Sequence, residues 1–175
     1  TGIKPTKEGK KDIWTTAPYY TLWGWWLVTP KDRAIIITEG EVDAMTVHQL
    51  NPGMPVLSLP SGASNLTWIE NDYDALTRFE RIYICTDMDE PGERAAQEMA
   101  KRLGLARCYR LPVPGGLKDA NQILTEDHGN ETFFEFGVWL AAAFSYDPPT
   151  LRGVSSFRQD VKARLRREKR EDEAN

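Results

Sequence analysis

Three carboxylates stand where a folded chain can gather them. Glu39 directly follows the β-branched run 34–38, and Asp87 and Asp89 follow the apolar run 81–86. In extended backbone, residues i and i+2 point to one side, so Asp87 and Asp89 can converge. Asp43 lies about one helical turn beyond Glu39, and Asp119 follows a fourth apolar run at 107–111. Such acids suit Mg²⁺, a hard cation that takes oxygen ligands and keeps several waters. One or two carboxylates per ion, with substrate phosphates, meet its needs. Mn²⁺ accepts the same donors. Several acids on one crevice can hold two ions, one activating an attacking hydroxyl and one stabilising a leaving group. The same residues have a structural reading. Glu41, Asp43, Glu90 and Glu93 suit the positive ends of helices, and Asp89 suits the cap of a helix begun by Pro91.

The elements that must position these acids alternate along the chain. Strands are expected at 34–38, 55–59, 81–86 and 107–111. Between them, Val42, Met45, Val47 and Leu50 recur at helical spacing until Asn51, Pro52 and Gly53 break it. A second helix is expected within 65–79, and a third from Pro91 to Leu103 with Gly104 as its stop. The segments 119–126 and 132–144 also read as helices. This alternation implies an α/β fold, a Rossmann-like parallel sheet of about four strands with helices on both faces. Loops at the carboxyl ends of such strands form the binding crevice. Glu39, Asp87 and Asp89 all fall on such ends.

The flanks differ in character. Residues 1–33 form a polar and then aromatic segment, with Tyr19, Tyr20, Trp23, Trp25 and Trp26 close together. These rings can stack bases, but covering the edge of the following domain is the commoner use of such residues. The main domain spans 34–146. A linker beginning at Asp147, Pro148 and Pro149 leads into a basic helix within 147–175.

Bulk properties narrow the possibilities. The net charge is −4, which is not the footprint of a domain held to DNA by charge alone. The two cysteines, Cys85 and Cys108, lie in strand-like runs and read as buried free thiols of a reducing, cytoplasmic compartment. No apolar run is long enough to cross a bilayer, so no membrane partner is expected. The start shows no signal-peptide pattern, and the missing initiator Met suggests an excised piece. His48 reads as a packing or surface residue, and His128 as a helix end.

Four ordered stretches carry a family resemblance. Residues 38–44 read Thr-Glu-Gly-Glu-Val-Asp-Ala, 58–64 read Ser-Leu-Pro-Ser-Gly-Ala-Ser, 87–92 read Asp-Met-Asp-Glu-Pro-Gly, and 118–121 read Lys-Asp-Ala-Asn. Together they resemble the TOPRIM domain of phage-type replicative primase–helicases and their Twinkle-like relatives. The resemblance runs from about Ala34 to Leu124. It implies that Glu39 assists catalysis or metal placement, that Asp87 and Asp89 are the main metal ligands, and that Asp43 and Asp119 support them. It also implies nucleotide contacts at Gly40 and Lys118, although a lysine beside an aspartate can equally be a solvated ion pair.

The activity implied is nucleotidyl transfer for RNA primer synthesis in DNA replication. Its partners would be a single-stranded DNA template, nucleoside triphosphates, the RNA primer and a helicase domain in a parent chain. The sequence carries no Gly-x-x-x-x-Gly-Lys-Ser/Thr phosphate loop and no cysteine set for a zinc module. The segment 147–170 resembles the linker and helix that pack helicase subunits into a ring. Its cluster of Lys162, Arg164, Arg166, Arg167, Lys169 and Arg170 suits DNA contact, or more simply a solvated or subunit-packing helix. Two other readings stay open: a non-catalytic DNA-binding or assembly module, and a metal-dependent TOPRIM nuclease.

Overall fold

The computed structural model describes residues 2–5, 11–14, 20–125 and 136–146. The basic segment beyond 147 and His128 lie outside the described residues, as does Tyr19. Strands β1 (Gly2–Pro5) and β2 (Lys11–Trp14) pair antiparallel as a separate two-stranded sheet. The main sheet begins with β3 (Ala34–Thr38), followed by helix α1 (Glu41–Leu50), β4 (Val56–Ser58) and α2 (Trp68–Leu76). Next come β5 (Arg81–Cys85), α3 (Glu90–Leu103) and β6 (Cys108–Arg110). Short α4 (Gln122–Thr125), α5 (Phe136–Ala141) and β7 (Phe144–Ser145) complete it.

The sheet order is β4-β3-β5-β6-β7. The first four strands are parallel, and β7 runs antiparallel at the edge. Successive residues of β3 serve opposite faces, as the pleat requires. Ile35 and Ile37 pack with Leu57, Ile82 and Ile84 beneath α2 and α3. Ile36 packs on the other side with Val56, Tyr83 and Cys85, against Ala44 and Val47 of α1, Ile123 of α4 and Trp139 of α5. Helices therefore cover both faces, and the buried strand residues explain the near-continuous apolar runs.

The fifth strand overturns part of the sequence reading. The segment 132–144 was expected to be helical throughout, yet α5 stops at Ala141 and Phe144 pairs with Arg110. The Tyr146 N–H donates to the Cys108 carbonyl at 3.3 Å. Without this return, β6 would present an unpaired edge, and satisfying it overrides the local helical pattern. The helix expected within 65–79 is α2, and before it Asn65 folds its side chain into a turn, accepting from Thr67 N–H at 3.0 Å. In α1, Ala44 and Val47 face the sheet, while Val42 and Met45 remain exposed.

The aromatic arm covers the outer edge of β4. Trp23 and Ser58 exchange both backbone hydrogen bonds at 3.0 Å. Leu22 is buried in the core, and Trp25 packs against it. Asp72 of α2 holds this arm: its carboxylate accepts from Thr21 Oγ1 at 2.6 Å, Leu22 N–H at 2.7 Å and Trp25 Nε1 at 3.2 Å. Trp26 meets Trp23 edge-on and stays exposed. Cys85 and Cys108 are free and buried, and burial pushes both thiols up to about 12. No helix among the described residues is long and apolar enough to cross a membrane.

Candidate active site

The parallel register of β3 and β5 pairs Thr38 with Cys85. Both strands therefore release their acidic segments at the same rim. Thr38 is buried, and its hydroxyl, 3.1 Å from the Gly40 carbonyl and 3.3 Å from that of Leu57, fixes the exit from β3. Glu39 comes next. Its Oε2 accepts from Asp87 N–H at 3.3 Å, and its Oε1 lies beside Gly62, 4.0 Å from where a Cβ on that glycine would stand. Three of the four motif stretches thus meet at one side chain: 38–44, 58–64 and 87–92.

The β5–α3 turn is held from below and from its own side chains. Asp89 caps α3, its Oδ1 accepting from Gly92 N–H at 3.0 Å. The Gly92 carbonyl accepts from the Thr86 hydroxyl at 2.8 Å. A Cβ on Gly92 would stand 2.4 Å from the Asp87 carbonyl oxygen, so only glycine lets the helix approach the turn this closely. The structural reading of Asp89 as a cap is therefore realised. It does not exclude a site role, because Oδ2 faces another partner.

That partner is Lys118, whose Nζ lies 3.3 Å from Asp87 Oδ2 and 3.5 Å from Asp89 Oδ2. The Lys118 carbonyl accepts from Met88 N–H at 2.7 Å, which binds the fourth stretch, 118–121, to the turn. The other end of that stretch is tied to α1, where Asp43 Oδ1 accepts from Asn121 N–H at 3.0 Å. The Asp43 carboxylate also lies against Gly40, its Oδ2 3.0 Å from where a Cβ on that glycine would stand. Asp119 caps the short α4, accepting from Gln122 N–H at 3.0 Å. All seven residues singled out from the sequence, Glu39, Gly40, Asp43, Asp87, Asp89, Lys118 and Asp119, thus belong to one connected rim.

The electrostatics are those of half-buried acids gathered together and offset in part by Lys118. Burial raises the Glu39 carboxyl above its ordinary value, and nearby Asp87 and Asp89 add to the rise. Burial likewise raises Asp87, with Lys118 pulling the other way. Asp43 is raised by burial and by Asp119 and Asp87, against the lowering effect of the Asn121 N–H. Lys118 is raised by its contacts with Asp87 and then Asp89.

Among the described residues, no three His, Cys, Asp or Glu side chains form a ready-made metal cage. The donor set still fits Mg²⁺. Asp87 and Asp89 present hard oxygen donors that already share one cation, the Lys118 ammonium, and Mg²⁺ needs few protein ligands when waters and phosphates complete its shell.

Sequence reasoning missed Arg110. It lies on β6 at 1% exposure, beneath the acidic turn. Its one signal was a charge in the middle of an apolar strand run, which is rare unless the charge is paired. Asp72 was missed as well, because nothing local distinguishes it from the other acids of α2.

A family profile described as Toprim-like matches residues 36–124. The chain belongs to the Toprim-like family. Its curated relatives include a Twinkle homolog protein, chloroplastic/mitochondrial, of Arabidopsis thaliana, 34% identical over 54% of this chain and 16% of that protein. A DNA helicase/primase of Enterobacteria phage T3 is 41% identical over 54% of this chain and 17% of that protein. The Toprim-like chain thus spans under a fifth of the length of these two relatives. Among solved structures, it is similar to a chain of the structure described as bacteriophage T7 lagging-strand DNA polymerase interacting with primase domains of two gp4 subunits bound to an RNA/DNA hybrid and dTTP. That match has a TM-score of 0.65 and 29% identity over 82% of this chain and 70% of the matched chain. The Toprim-like span contains every rim residue named above.

Proposed function

We propose that this chain is the TOPRIM catalytic portion of a DNA primase or primase–helicase, making RNA primers for DNA replication by nucleotidyl transfer. The observation that carries this reading is the meeting of Glu39 with the Asp87–Asp89 turn at the carboxyl ends of adjacent parallel strands β3 and β5. In the proposed reaction, the 3′-hydroxyl of the growing primer attacks the α-phosphate of a nucleoside triphosphate. The new O–P bond forms as the α–β bond breaks, and pyrophosphate leaves. Mg²⁺, or Mn²⁺ in its place, would neutralise charge on the phosphates when bound at this site. Asp87 and Asp89 are the residues to hold it, with Asp43 and Asp119 in support.

The chain's own residues do the rest. Glu39, whose carboxyl burial and neighbouring acids hold above its ordinary value, is the group to receive the proton of the attacking hydroxyl. Lys118 is more than half exposed and meets the nucleotide phosphates once it leaves the carboxylates. Gly40 opens α1 without a side chain, so a phosphate can approach backbone N–H groups there. Catalysis on this scheme is mostly positioning and electrostatics.

A single-stranded DNA template, nucleoside triphosphates and the RNA primer are the partners, with a helicase domain supplied by a longer parent chain in the cytoplasm. The test is ribonucleotide incorporation on a single-stranded template by that parent. Glu39→Gln and Asp87→Asn should each abolish primers while leaving DNA unwinding intact. Primer synthesis that survives both substitutions would overturn the assignment.

A further inference from the structure

Among the described residues Arg110 is the one fully buried charge near the rim, and its guanidinium divides its donors between the end of β5, the turn that carries Asp87 and Asp89, Leu111 and Glu93. Nη1 donates to the Ile84 carbonyl at 3.0 Å and to that of Leu111 at 3.3 Å. Nη2 reaches the carbonyls of Thr86 at 3.2 Å and Asp87 at 3.4 Å, and the Met88 sulfur at 3.4 Å. Nε donates to Glu93 Oε2 of α3 at 3.0 Å. The parallel ladder between β5 and β6 ends at the Ile84–Arg110 pair. β5 itself ends one residue later, at Cys85 paired with Thr38, so the Thr86 and Asp87 carbonyls need donors from elsewhere. Arg110 supplies them.

A buried guanidinium is costly unless its donors are satisfied, and here all three of its nitrogens have partners. The planar fork fixes several acceptors at once, which a lysine cannot do. We propose that Arg110 is a positioning residue for the metal turn: it clamps the backbone of 84–87 from below so that Asp87 and Asp89 stand ready at one place. The inference rests on the reading of Asp87 and Asp89 as metal-holding. Groups that orient metal ligands in this indirect way typically contribute about tenfold to a hundredfold in affinity.

The experiment is a Mn²⁺ titration of the 175-residue chain, followed by electron paramagnetic resonance of free Mn²⁺. Wild type is compared with Asp87→Asn, Arg110→Lys and Arg110→Met, each below its own melting temperature in chelator. Wild type should bind in a manner that Asp87→Asn destroys. Arg110→Lys, which keeps the charge but not the fork, should bind about tenfold more weakly, and Arg110→Met more weakly still. If Arg110→Met does not fold, Arg110→Lys decides the matter. A role in stability alone would lower the melting temperature and leave the affinity of the folded variant unchanged. That result, with Asp87→Asn still inactive in binding, overturns the Arg110 proposal by itself. If Asp87→Asn binds Mn²⁺ as tightly as wild type, the metal reading fails and this proposal falls with it.

Discussion

Lys118 spans Asp87 and Asp89 with its ammonium, where a divalent cation would balance the same charge. Any metal held by these acids must compete with it. Replacing Lys118 with Met removes the competitor without changing the carboxylates. Mg²⁺ or Mn²⁺ should then bind more tightly, by up to about fivefold, the worth of an exposed ion pair. The same variant should raise the KM for nucleoside triphosphate in primer synthesis by the parent protein. Tighter metal and weaker nucleotide together would be a signature of a shared cation; weaker binding of both would contradict it. At this scale the sequence was most informative about where acidic side chains gather. Glu39, Asp87 and Asp89 are legible because their strand-end positions follow from the apolar runs before them. Arg110 is not legible, because its role depends on carbonyls from a strand 26 residues away.

Elements position these residues through close backbone approach, and α3 shows the tightest case. Its first turn rests on the Asp87 backbone only because residue 92 has no side chain. Gly92→Ala should push α3 off the turn and cost about 1–3 kcal/mol of stability, as overpacking does. Thermal unfolding measures that cost, and metal affinity should fall with it because Asp89 caps the displaced helix. A second element, the aromatic arm, depends on Asp72. Asp72→Ala removes an acceptor shared by three donors and should cost about 2 kcal/mol. Limited proteolysis should then cut within 20–33 much faster than in wild type; unchanged cleavage would mean that the Trp23–Ser58 pairing alone holds the arm. The four parallel strands were readable from β-branched and apolar runs bounded by turn residues. Strand β7 was not, since Phe144 is fixed by the need of β6 for a partner rather than by any preference of its own.

For the molecule as a whole, the sheet gathers carboxylates at one rim and half-buries them, so in the absence of metal the fold carries an electrostatic cost. Glu39 makes that cost measurable. Its folded carboxyl is raised above the ordinary value of 4.5, mainly by burial and then by Asp87 and Asp89. The folded state therefore binds this proton more tightly than the unfolded chain, and stability from this group falls as pH rises from that ordinary value through the raised one. Glutamine mimics the protonated form. In chelator, Glu39→Gln should match wild type in acid and become more stable than wild type as pH approaches neutrality. Lys118 does not confuse the comparison, because its raised pKa places its own loss of charge in the alkaline range. Adding Mg²⁺ near neutral pH should narrow or reverse the difference, since bound metal offsets the charge that Glu39 contributes. Melting curves of both proteins across that pH range, with and without Mg²⁺, measure all of this. A Glu39→Gln variant less stable than wild type at neutral pH in chelator would mean that the Asp87 N–H contact outweighs the burial of the charge, and that the rim is held together without needing a metal.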